Sequence, residues 1–118
     1  MTVDVDANIA SIKNGMAALN EAIPDTLKAF GEIGKSVYKD SALSAKTKEM
    51  LAVASAIAAR CEGCIVWHVR GAMRQGMTKP ELEELIAVAV HMGGGPSLTY
   101  GIKALESFDQ LSAERQKK

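Results

Sequence analysis

Aromatic side chains are scarce in this chain of 118 residues, making up 4% of it. Trp67, Tyr38, Tyr100, Phe30 and Phe108 are the whole set, too few to build the stacking platforms on which single-stranded nucleic acid rests. Net charge is lacking as well, because fourteen Lys and Arg offset fourteen Asp and Glu. Binding dominated by phosphate contacts needs a basic excess, so no nucleic-acid partner is expected. The longest nearly apolar run covers residues 50–59. That is far short of the roughly 20 residues that span a bilayer, and no membrane partner is expected. The opening Met1-Thr2-Val3-Asp4-Val5-Asp6 is acidic and has no apolar segment behind it, unlike a secretory leader. These features predict a cytoplasmic protein. Cysteine occurs only twice; in a reducing compartment that argues against a permanent staple and for redox or metal chemistry.

What is abundant is small and aliphatic. The chain is 47% hydrophobic, drawn mostly from Ala, Leu, Ile, Val and Met, which favours helices over strands. Apolar spacing of three and four marks a first helix over about residues 6–21, through Ile9, Ile12, Met16 and Leu19. Pro24 opens a second, running to about Lys39. Ser44 caps a third over about residues 45–59. Its second half is apolar on every side, which a small domain can hardly enclose alone; a homo-oligomer is the expectation. A fourth helix covers about residues 62–75 and stops at Gly76. Thr78, Pro80 and Glu81 form a capping-box start for a fifth, which ends at Met92 before Gly93-Gly94-Gly95-Pro96. A sixth runs from Pro96 or Ser97 to Leu111, and residues 112–118 read as a fraying polar tail. The length suits one domain over residues 1–118. The predicted fold class is all-α.

The chemistry gathers on the fourth helix. Cys61, Cys64 and His68 are spaced i, i+3 and i+7. They share a stripe roughly 60° wide on the helix surface. Cys61 lies at the helix entrance, where the macrodipole favours a thiolate, and His68 is one turn beyond Cys64. A CxxC pair in that place can close and open a disulfide. If the third and fourth helices form an antiparallel hairpin turning near Arg60, Glu49 lies opposite the level of Gly71, within about one turn of His68. A carboxylate there would orient and charge the imidazole. The bland alternative is a solvated surface carboxylate. His91, in the last turn of its helix, is expected to serve that helix end.

Glu49, eleven residues, Cys61-x-x-Cys64, three residues and His68 together resemble the core motif of the alkylhydroperoxidase AhpD-like proteins, within the carboxymuconolactone decarboxylase family. The resemblance continues from Arg70 through Gly76 to Thr78-Lys79-Pro80-Glu81-Leu82. It implies an AhpD-like all-α fold assembling as a homotrimer or homohexamer. It implies a thiol-dependent peroxidase that takes a hydroperoxide substrate without cofactor or metal. Cys61 and Cys64 would be the redox pair, Glu49 and His68 the proton relay. The reductant would be an external dithiol, such as a lipoyl-bearing or thioredoxin-like protein. Some members have a His directly before the second cysteine, where this chain has Gly63. The namesake decarboxylases lack the cysteine pair, so lactone decarboxylation is not expected. Cys64, nearer His68, is read as the attacking thiol and Cys61 as the resolving one.

Three other readings fit the same residues. The pair can serve a disulfide reductase or redox sensor without peroxide turnover. Cys61, Cys64 and His68 with His91 can bind zinc, although the second pair of a structural site is missing. The cysteines can also be core residues of a non-catalytic oligomeric module.

Overall fold

The computed structural model describes residues 2–116. Among them are six helices and no strand: α1 (Val5–Ala22), α2 (Pro24–Val37), α3 (Ala45–Ala58), α4 (Glu62–Arg74), α5 (Lys79–Gly93) and α6 (Gly95–Gln116). Helices α3 to α6 pack on one another around the core, with α1 laid against α4 and α6 and α2 resting chiefly on α1. The core is aliphatic, as the composition requires: Val53, Ile57, Ile65, Val66, Val69 and Leu82 are fully buried. Burying each such side chain stabilises the fold by about 1.5–3 kcal/mol.

Local chemistry accounts for the helix ends. Asp4 caps α1 by accepting the Ala7 amide at 3.0 Å. Ser44 caps α3 through the Thr47 amide at 3.1 Å. Thr78 and Glu81 close a complete capping box on α5. At the end of α4 the amides of Gly76 and Met77 donate to the carbonyls of Met73 and Ala72 at 3.0 and 2.9 Å. Gly76, with φ +96, supplies the left-handed residue this Schellman turn needs.

Three boundaries differ from the spacing pattern. Helix α2 stops at Val37 rather than Lys39, with Tyr38 as its C-cap. The α5–α6 break is tighter than expected, with Gly94 (φ +70) alone between the helices. Helix α6 continues to Gln116 instead of stopping at Leu111. Arg115 donates to the Met73 carbonyl at 3.4 Å and ties this last turn to α4; the rest of the expected tail, residues 117–118, lies outside the described residues. The residues that lead into α1 also matter more than their acidity implied, including its first residue, Val5. Val3 and Val5 are buried, and Val5 donates to Gln110 at 3.0 Å. Val3 donates to Glu106 at 3.2 Å, and Gln110 returns a hydrogen bond to the Val3 carbonyl.

The apolar half of α3 is only partly covered. Val53, Ala56 and Ile57 face the core, while Leu51 is 52% exposed. Val88 and Met92 of α5 are 64% and 78% exposed, and with Leu51 and Ala54 they line an open groove. None of α2 is buried, and Phe30 stands 71% exposed. No helix among the described residues is long and apolar enough to cross a membrane.

Candidate functional site

The site is assembled at the α3–α4 hairpin. Asp40 accepts the Ala45 amide at 2.7 Å, and Lys48 donates to the Lys39 carbonyl at 2.6 Å. Both bonds fix the entry into α3 and hold the end of α2 beside it. One turn further along α3 stands Glu49. The chain then reverses through Arg60, whose φ of +56 makes it the left-handed residue of a second Schellman turn. Arg60 donates to Ile57 and Cys61 donates to Ala56, both at 3.1 Å. This places Cys61 at the N-cap of α4.

Cys61 and Cys64 are joined in a disulfide, their Cα atoms 5.2 Å apart. The Cys64 amide donates to Cys61 Sγ at 3.2 Å, so the sulfur occupies the capping position that Ser or Asp usually takes. Cys64 is exposed and Cys61 half-buried. A thiolate at residue 61 would gain the same amide and the helix dipole.

The antiparallel register brings Glu49 to His68, with Oε2 2.9 Å from Nδ1. Both side chains are largely sheltered. Nδ1 is thereby the donor, and Nε2 makes no hydrogen bond to a described residue, leaving it open to exchange a proton. Gly71 is what allows the approach: a Cβ there would come within 2.7 Å of Glu49 Oε2. Spacing had placed Glu49 opposite this level without showing that a glycine is required.

In the sequence Tyr38 stands out only as one of the few aromatic residues. Its ring lies 5.8 Å from the His68 ring, tilted by 34°. Burial first, and then the Glu49 carboxylate, raise its pKa above the ordinary 10.0, so the phenol is neutral at physiological pH. No local pattern points to this contact, because it depends on where the α2–α3 connection returns. On the other side of the pair, Gly63 has the Ile12 side chain 3.3 Å from where its Cβ would be. Helix α1 thus crowds the position directly before the second cysteine. Glu62, between the cysteines, is held by Lys103 of α6 at 2.9 Å.

His91 is exposed in the last turn of α5. Among the described residues no group of three or more His, Cys, Asp or Glu side chains is placed to hold a metal ion.

The sequence model of the Carboxymuconolactone decarboxylase family matches residues 24–107. An uncharacterized protein of Cupriavidus necator is 37% identical over 113 residues, 96% of this chain and 100% of its own length. Uncharacterized protein 4 of the cox locus of Paracoccus denitrificans is 40% identical over 83 residues, 70% of this chain and 75% of that protein. The apo structure of a carboxymuconolactone decarboxylase family protein from Legionella pneumophila superposes with a TM-score of 0.88 at 37% identity, over 92% of this chain and 96% of that one. A Thermotoga maritima protein of the same family, suggested to act in an antioxidative response, has a TM-score of 0.73 at 24% identity. It covers 79% of this chain and 96% of its own, and at that identity the likeness is one of fold.

Proposed function

The chain belongs to the carboxymuconolactone decarboxylase family, and from that premise we propose that it is a thiol-dependent peroxidase acting through Cys61 and Cys64. The observation that carries the proposal is a disulfide at the start of α4 on the same helix as an imidazole already paired with Glu49. In the reduced protein, His68 Nε2 takes the proton of the attacking thiol. Exposure favours Cys64 as that thiol. Its thiolate attacks the outer oxygen of a hydroperoxide and the O–O bond breaks. The alkoxide leaves and takes a proton from the imidazolium to become an alcohol, while Cys64 becomes a sulfenic acid. Cys61 gives its thiol proton to His68 Nε2, its thiolate, favoured at the N-cap, attacks that sulfur, and the disulfide forms as hydroxide leaves and takes the proton back from the imidazolium as water. Two thiol–disulfide exchanges with an external dithiol return both cysteines to thiols. Glu49 holds the imidazole with Nδ1 as donor, which leaves Nε2 to accept the thiol proton.

The oligomer belongs to the same reading. Helix α2 buries nothing of its own, and the groove along α3 and α5 is open. Other copies of the chain would cover these apolar faces in a homotrimer or homohexamer. A cytoplasmic setting would keep the dithiol donor reduced.

The test is rapid-mixing oxidation of the reduced protein by an alkyl hydroperoxide, followed by mass spectrometry. Expected are fast consumption ending in the Cys61–Cys64 disulfide, a stalled sulfenic acid in Cys61→Ser, and no reaction in Cys64→Ser. Removing the relay with His68→Gln or Glu49→Gln should slow the step about 100-fold. Consumption no faster than by a free thiol in solution would remove the peroxidase reading. An exposed, closed disulfide also suits a disulfide reductase, which would cycle with a dithiol while leaving peroxide unconsumed.

A further inference from the structure

Cys64, Trp67 and Arg70 form a row along α4 at i, i+3 and i+6. Such steps set neighbouring Cβ atoms about 5–6 Å apart on one helix face. Side chains on a helix lean toward its N-terminus. Arg70 does so, its guanidinium carbon 4.5 Å from the Trp67 ring centroid. Yet Arg70 makes no ion pair or hydrogen bond with any described residue. Its Nε is shut off from solvent without an acceptor. Buried donors are seldom left so. Arg74, one turn on, is exposed and adds a second positive charge. The row therefore presents an exposed sulfur, an apolar ring and a planar cation whose Nε lacks an acceptor among the described residues, in that order.

We propose that the Cys64–Trp67–Arg70 row is a binding track for amphiphilic carboxylates. Arg70 takes the carboxylate with its fork of N–H donors. The aliphatic chain lies across Trp67, and the far end of the molecule reaches Cys64. Two steps of the row span about 10–12 Å between Cβ atoms, and because Arg70 folds back over Trp67 the carboxylate and the reacting group are closer than that. With the peroxidase reading, on which this part rests, the preferred substrates are medium-chain organic hydroperoxides bearing a carboxylate. Binding itself does not rest on that reading, since the oxidised protein presents the same face.

Trp67 is the single tryptophan of the chain, so its fluorescence reports on the track directly. The oxidised, full-length protein is titrated with octanoate and, separately, with octanol. A saturable change with octanoate is expected, with octanol binding about tenfold or more weaker and added salt reducing the difference. Arg70→Ala should lose octanoate binding to a similar extent, with Arg70→Lys recovering part of it. Arg70→Gln replaces the alanine variant if that one does not fold. Equal binding of octanoate and octanol, or wild-type octanoate binding by Arg70→Ala, overturns the track. So does a lack of octanoate binding, which would mean that Arg70 meets a carboxylate of another protein chain instead. A second arm compares thiol oxidation in the reduced protein by a carboxylate-bearing and an uncharged hydroperoxide of equal chain length. A preference for the former that shrinks toward one in Arg70→Ala supports the track, and no preference in the wild type counts against it. If neither peroxide is consumed, the peroxidase reading fails and the octanoate titration alone decides the track.

Discussion

Gly71 lets a carboxylate sit where a methyl group would otherwise go. Within α4 an alanine has the better helix propensity, by about 0.8–1 kcal/mol. Gly71→Ala pits that gain against the Glu49 carboxylate, whose Oε2 and Cδ would be 2.7 and 2.9 Å from the new Cβ. The carboxylate must swing away from His68. The expected result is a folded variant whose thiol oxidation by peroxide is about tenfold or more slower, in the direction of Glu49→Gln. A wild-type rate would mean that the Glu49–His68 contact survives or is not used. Tyr38 is open to a separate measurement. Because burial and Glu49 raise its pKa, an ultraviolet titration should show a phenol ionising above the ordinary 10.0. That late component should vanish in Tyr38→Phe.

At the scale of elements, the turns around α4 are related by one motif with different residues at its left-handed position. After α4 that position is Gly76; after α3 it is Arg60. An L-residue in this conformation costs about 1–2 kcal/mol, part of which glycine returns as chain entropy. Arg60→Gly should therefore raise stability by up to about 1 kcal/mol, measured as a higher urea midpoint. A lower midpoint would show that the Arg60 side chain contributes more than the backbone strain costs. The capping box of α5 has a pH signature. The Lys46 ammonium first, and then the Thr78 amide, lower the Glu81 pKa from 4.5 to about 2. A lowered folded pKa stabilises the protein above the unfolded value, and the contribution is lost as pH falls through the folded one. The stability difference between wild type and Glu81→Gln should hold above pH 4.5 and shrink toward about pH 2. It should be small and sensitive to salt, because the pair lies at the surface. A difference independent of pH would assign the effect to shape alone.

At the scale of the whole molecule, the open question is what covers α2 and the α3–α5 groove. Phe30 at 71%, Ile33 at 60%, Val88 at 64% and Met92 at 78% exposure are a costly surface for a free monomer. Light scattering should find a homotrimer or homohexamer. Phe30→Glu and Val88→Glu, tested one at a time, should shift the mass toward the monomer, each reporting on its own face. A monomeric wild type at micromolar concentration would end this proposal.

The helices and most of their ends were legible in the sequence, because they depend on neighbours in the chain. Apolar spacing, Ser44, Gly76 and the Thr78–Glu81 box act within one or two turns. The grouping of the cysteine pair with His68 was legible for the same reason: Cys61, Cys64 and His68 share a stripe by helical period alone. The contacts of Tyr38 with His68, Ile12 with Gly63 and Arg115 with Met73 were not, nor was the burial of Val3. Each joins residues distant in the chain and exists only once the helices have packed. Local sequence thus settled which residues form helices and which side chains share a face. Packing decided how near Glu49 stands to His68, what surrounds the cysteine pair, and that Arg70 Nε has no acceptor among the described residues.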